Sequence, residues 1–144
     1  MKKIFSLIVF ISLSMISQAQ KKSPRVSYMV LGKMIYTKHC MTCHQVDGSG
    51  APNMIPPLIK TDYVLGPKAP IIRIILNGLN GEIKVNGDIY AGEMPSQAIL
   101  KDREIAAVLT YVRKSFGNKA SAVTIREVKM IRANNKKATS PIEH

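Results

Sequence analysis

Only two cysteines and three histidines occur in the 144 residues, and that scarcity excludes several chemistries. Both cysteines sit in one stretch, Cys40-Met41-Thr42-Cys43-His44. A tetrahedral zinc site needs four ligands. Cys40, Cys43 and His44 give three, no second pair follows, and the other histidines are His39 and His144. A redox-active Cys-x-x-Cys works at the start of a helix in a strand-helix-strand fold, and no such alternation is visible. No internal repeat is present. The chain also lacks an apolar run of the roughly 20 residues that a spanning helix needs. Acidic residues are few, 9 against 21 basic, for a net charge of +12.

What is present begins with the leader. Lys2 and Lys3 precede a mostly apolar stretch, Ile4 to Ile16, and Ser17-Gln18-Ala19 supplies small residues before a cut at Gln20. That is the layout of a secretory signal peptide. No cysteine lies near the cut, so lipidation there is excluded. The mature chain is one domain's worth of residues, expected to work in the periplasm as a soluble protein.

For an exported protein with this five-residue motif, covalent haem attachment is the remaining reading. Two thiols two residues apart can add to the two vinyl groups of a haem, and the adjacent histidine then lies under the iron. One motif implies one haem c, held by Cys40 and Cys43, with His44 as proximal ligand. The sixth position calls for a soft ligand downstream. Met94 lies in Gly92-Glu93-Met94-Pro95, a shaped loop. Met54, ten residues after His44, has too short a path to circle the haem edge. Methionine is more often core filler, but the covalent haem favours Met94 as ligand.

The sequence resembles the class I c-type cytochromes, the soluble bacterial monohaem kind also found as haem domains of periplasmic dehydrogenases and nitrite reductases. The likeness runs from about Val26 to Arg132. Four marks carry it: Gly32-x-x-x-Tyr36 ahead of the motif, the motif itself, Ile55-Pro56-Pro57-Leu58 after it, and Met94-Pro95. The resemblance implies an all-α cytochrome c fold with first and last helices crossing at Gly32 and Tyr36 against Val108 and Tyr111. It also implies that the Pro56 carbonyl accepts the second N–H of His44, and that Leu58 packs on the haem.

The local patterns agree with that layout. Val26 to Lys38 reads as a helix with Val30, Met34 and Ile35 on one side. His39 is expected to be exposed. A helix or a strand would suit the isoleucines from Pro70 to Ile75, and the resemblance selects helix, ended by Asn77-Gly78. Ile83 to Tyr90 reads as a hairpin turning at Asn86-Gly87, placed to deliver the Met94 loop. Asp102 is expected to cap a long helix to Phe116 with Ile105, Val108, Leu109 and Val112 as its apolar stripe. Thr124-x-x-Glu127 is a capping box opening a last helix to about Ala133. The chain thus divides into a signal peptide at 1–19, a linker at 20–25, a cytochrome domain at 26–118, a helical extension at 119–133 and a flexible tail at 134–144.

The function expected is single-electron transfer by a monomeric carrier, not catalysis. Histidine and thioether together favour the ferrous form and raise the potential. Its partners would be redox proteins: a dehydrogenase, a reductase or a terminal oxidase. Two alternatives stay open: a haem subunit of a larger periplasmic oxidoreductase, or a haem whose methionine leaves to admit peroxide or a gas. Charge is concentrated at the ends. Residues 34–118 hold nine basic and seven acidic residues, whereas Gln20 to Lys33 holds four basic and no acidic ones. These ends suit an anionic membrane surface or an acidic partner, or serve as solubilising tails. An exported chain is not expected to bind nucleic acid.

Overall fold

The computed structural model describes residues 27–139; the signal peptide and linker expected before them lie outside the described residues. Six helices and one hairpin follow in order. They are α1 (Tyr28–His39), α2 (Met41–His44), α3 (Asp62–Leu65), α4 (Lys68–Asn77), β1 (Ile83–Val85), β2 (Asp88–Tyr90), α5 (Asp102–Lys114) and α6 (Ile125–Thr139). This is the all-α architecture with a small hairpin that the resemblance implied.

The α1–α5 crossing is the frame. Gly32 is buried against α5, and a Cβ there would meet Tyr111 Cβ at 2.6 Å and collide with the Ala107 carbonyl oxygen. Only a residue without a side chain lets the two backbones come so close. The nearest partners of Gly32 are therefore Ala107 and Tyr111, where Val108 and Tyr111 were expected. Val108 is buried elsewhere in the core. Tyr36, Tyr111 and Phe116 form an aromatic trio beside the crossing, with ring centroids 5.3–5.8 Å apart, in tilted and edge geometries that aromatic rings favour.

The expected stripe on α1 is wrong in part. Val30 and Met34 are exposed, and the buried positions are Gly32 and Tyr36. Close crossing selects a small residue and one aromatic anchor, so counting aliphatic side chains misplaces the face. The α5 stripe is as expected, with Ile105, Val108, Leu109 and Val112 all buried. Ala106, Ala107 and Thr110 are buried too: Ala107 lies under Gly32 at the α1 crossing, and Thr110 faces the segment ahead of α6, donating to the Val123 carbonyl at 3.1 Å.

Local signals set most boundaries. Helix α4 starts at Lys68, before Pro70; proline is harmless there because the first-turn N–H groups have no helical partner. Residue Gly78 ends α4 with φ of 75°. In the hairpin Ile83 pairs Tyr90 and Val85 pairs Asp88, and Asn86 and Gly87 both take positive φ, as a two-residue turn demands. Lys101, not Asp102, occupies the cap position of α5. Its backbone N–H donates to the Glu104 carboxylate at 2.8 Å, and Asp102 is the first helical residue. Helix α5 ends at Lys114, short of Phe116, which takes positive φ.

The capping box of α6 is formed as expected. Thr124 N–H donates to Glu127 Oε2 at 2.7 Å, and Glu127 N–H donates to Thr124 Oγ1 at 3.2 Å. The helix then continues to Thr139, beyond the expected stop at Ala133. Alanine and lysine in this stretch are good helix formers. Val123, Val128 and Ile131 join the core.

Candidate functional site

The helices and loops enclose one large, mainly apolar cavity of about 1160 Å³, including its open mouth. Its wall contains every residue singled out from the sequence: Cys40, Cys43, His44, Pro56, Leu58 and Met94. Aliphatic side chains from α4 and α5, including Ile71, Ile75, Val108 and Val112, complete it.

The His44 side is tightly specified. Tyr36 reaches from α1 and donates its hydroxyl to the Gln45 carbonyl at 2.6 Å. Burial, followed by the nearness of Cys40, Tyr111 and Asp47, raises the Tyr36 pKa, so the hydroxyl stays a donor. His44 Nδ1 lies 3.2 Å from the Pro56 carbonyl oxygen. A carbonyl can only accept, so Nδ1 carries the proton. Burial lowers the His44 pKa, against the opposing Pro56 contact, so the ring is neutral and Nε2 holds a free lone pair. Glycine at position 50 has φ of 68°, and a Cβ there would lie 2.8 Å from the Pro56 oxygen. Its absence lets the 55–57 backbone fold under the histidine.

A buried asparagine locks that backbone. Asn118 donates to the Leu58 and Val112 carbonyls, both at 2.8 Å, and accepts from Lys60 N–H at 2.7 Å. Only 4% of Asn118 is exposed. Arg113, equally buried, donates to the carbonyls of Val64, Gly66 and Ser121. Neither residue was singled out from the sequence. Asn118 lies two residues past the expected helix end at Phe116, and nothing in the local pattern marks a polar residue that serves carbonyls far along the chain.

The Met94 side uses main-chain pairing. Met94 and Leu79 exchange two backbone hydrogen bonds of 2.9 and 2.8 Å. Gly92 N–H donates to the Met54 carbonyl at 2.9 Å, and a Cβ at Gly92 would strike that carbonyl. Ser96 Oγ donates to the Leu76 carbonyl at 2.6 Å. Met54 also borders the cavity, but its side chain is largely exposed. His39, expected to be exposed, is half-buried and lines the cavity wall, because the end of α1 turns directly into the cysteine motif.

Cys40 and Cys43 are not bridged to each other. Burial, followed by the Cys43 charge, pushes the Cys40 thiol up to about 11, so it is a neutral thiol at neutral pH. Two unbridged thiols, an imidazole with a free lone pair and a thioether border one apolar cavity. That donor set fits a covalently attached haem, whose iron cycles between ferric and ferrous states.

A helical shell of this kind around such a cavity defines a haem-c protein. The cytochrome c family model matches residues 29–116. Cytochrome c-552 of Thermus thermophilus is 40% identical over 111 residues, covering 71% of this chain and 84% of that protein. The cytochrome c subunit of alcohol dehydrogenase (quinone) from Gluconacetobacter polyoxogenes is 34% identical over 107 residues, covering 72% of this chain. The fructose dehydrogenase cytochrome subunit of Gluconobacter japonicus is 29% identical over 109 residues, covering 73%. This chain spans only 22% of each of the two dehydrogenase subunits. The chain belongs to the cytochrome c family, whose members hold haem c covalently. Among the described residues no helix is long and apolar enough to cross a membrane.

Proposed function

We propose that this protein is an exported electron carrier with one haem c, thioether-linked through Cys40 and Cys43 and ligated by His44 and Met94. The observation that carries the reading is the convergence of these four side chains on a single apolar cavity. The sequence holds one Cys-x-x-Cys-His motif, hence one haem. Pro56 orients His44 by taking its Nδ1 proton in a hydrogen bond, which leaves Nε2 for the iron. Leu58 packs against the ring. With both axial positions filled, the iron exchanges an electron and does not readily bind oxygen. The leader at 1–19 supports a periplasmic location, and its partners are redox proteins met in brief, small contacts.

The names of the dehydrogenase relatives favour a second reading, in which the chain is the haem subunit of a larger oxidoreductase. Purification from native levels separates the two: a free carrier elutes alone, and a subunit brings its enzyme with it. The attachment itself is tested by acid-organic extraction of the purified protein. Wild type keeps its haem, and the Cys40→Ala, Cys43→Ala double variant does not. A wild-type protein that releases haem to the solvent overturns the proposal.

A further inference from the structure

Helix α6 touches the segment that follows Met94 through one guanidinium. Arg132 Nη1 donates to the Ala98 carbonyl at 3.0 Å, and Nη2 donates to the Leu100 carbonyl at 2.6 Å. Its Nε pairs with Asp102 Oδ1 at 2.7 Å. The two carbonyls flank Ile99, which is 82% exposed, and the Leu100 side chain beyond it is buried in the core, so packing anchors the far end of this segment and not its Ala98–Ile99 part. Asp102 opens α5. One planar fork therefore fixes the return of the methionine loop onto the helix that frames the cavity, a geometry that lysine cannot reproduce. Asn135, farther along α6, donates to Asn77 Oδ1 at 2.9 Å. Asn77 ends α4 just before Leu79, the backbone partner of Met94. Helix α6 thus reaches both chain segments that hold the loop.

We propose that Arg132 is a positioning residue for the Met94 loop: by gripping both carbonyls and Asp102, it sets how readily Met94 gives up its place on the iron. The inference rests on Met94 being the sixth ligand. The Ala98 and Leu100 carbonyls are held by a charge, and such bonds are about twice as strong as neutral ones. Losing them frees the loop to swing away, and an outside ligand then competes with Met94 at lower cost.

The test is titration of the ferric holoprotein with imidazole, followed by loss of the weak far-red sulfur-to-iron absorption. Arg132→Ala is expected to bind imidazole about tenfold more tightly than wild type, within the usual range of coupling between sites. Arg132→Lys is expected to fall between the two. Ile72→Val, a fully buried change in α4 outside the cavity lining, serves as the control for general destabilisation and is expected to match wild type. Amide exchange at Met94 and Leu79 is expected to quicken in the Arg132 variants and not in the control. If Arg132→Ala does not accumulate, Arg132→Lys decides alone. Imidazole affinities of the Arg132 variants equal to that of Ile72→Val overturn the proposal while leaving the ligand assignment intact. A far-red band that is missing from wild type, or that survives in Met94→Ala, removes the ligand assignment and the clamp with it.

Discussion

The His44 side of the cavity is held by side chains that are almost completely buried, whereas the Met94 side is held by backbone pairing and by charges near the surface. Tyr36, Asn118 and Arg113 are each less than 5% exposed. Between them they satisfy the Leu58 carbonyl, the Val64 and Gly66 carbonyls that follow it, and the Gln45 carbonyl next to His44. Across the cavity wall, the Met94 loop is joined to Leu79, Met54 and Leu76 by hydrogen bonds. Its outer end is fastened by Arg132, whose side chain is 22% exposed. Segments with few buried contacts and exposed hydrogen bonds open first. The comparison teaches that the two proposed axial ligands, His44 and Met94, stand on supports of different stiffness. The histidine is the more firmly held, and the methionine is the one that conditions and mutations are expected to loosen.

The largest effect is expected where both sides share a support. Gly32→Val places a side chain against a backbone carbonyl that cannot rotate away. Overpacking typically costs about 1–3 kcal/mol, and the upper end is expected here in a denaturant melt. Gly32→Ala is expected to destabilise too, because the clash begins at Cβ. A gain of up to about 1 kcal/mol from helix propensity would instead show that the crossing is loose. Folded Gly32→Val protein is expected to keep a normal haem spectrum.

Next in size is Asn118→Ala, which strips partners from two carbonyls and one N–H. Only the bond to the Val112 carbonyl is fully buried, and an unsatisfied buried group costs about 1–3 kcal/mol, so a loss of about 2 kcal/mol is expected. The far-red band should persist, since the damage falls on the histidine side. Gly92→Ala reverses the pattern. Its methyl would push the Met54 carbonyl away, at about 1 kcal/mol because the loop can shift, and the far-red band should weaken. Equal spectral effects from these two variants would erase the proposed difference in stiffness.

The smallest effect concerns pH. Burial tends to raise the Glu127 pKa, but the Lys68 and Thr124 hydrogen bonds outweigh it, and the net shift is downward from 4.5. The folded state then binds fewer protons than the unfolded state near and below that value. Stability from this group is present above about pH 4.5 and is lost as pH falls through the lowered value. Glu127→Gln is expected to flatten that acid-side slope in melts of the holoprotein, with the Lys68–Glu127 pair at 2.9 Å as the cause.

Much of this molecule was legible in its sequence because the signals are local. The cysteine motif, Pro56, the Asn86-Gly87 turn and the Thr124–Glu127 box each declare themselves within a dozen residues. Met94 and Leu58 could be named beforehand, and both border the cavity. Other features could not be read. Val30 and Met34 looked like core because aliphatic periodicity does not reveal a crossing made through glycine. Asn118, Arg113 and Arg132 looked like ordinary helix-end or surface residues. Their roles depend on carbonyls 30 to 60 positions away, and only the folded chain brings those together. Helix α6 was expected to end sooner, since its later turns carry polar residues with no visible apolar stripe.

The central claim, one haem held between His44 and Met94, is tested most directly by the far-red absorption and reduction potential of three ferric holoproteins. Wild type is expected to show the band, Met94→Ala to lose it and to fall in potential, and Met54→Ala to keep both nearly unchanged. A larger change in Met54→Ala than in Met94→Ala would contradict the account.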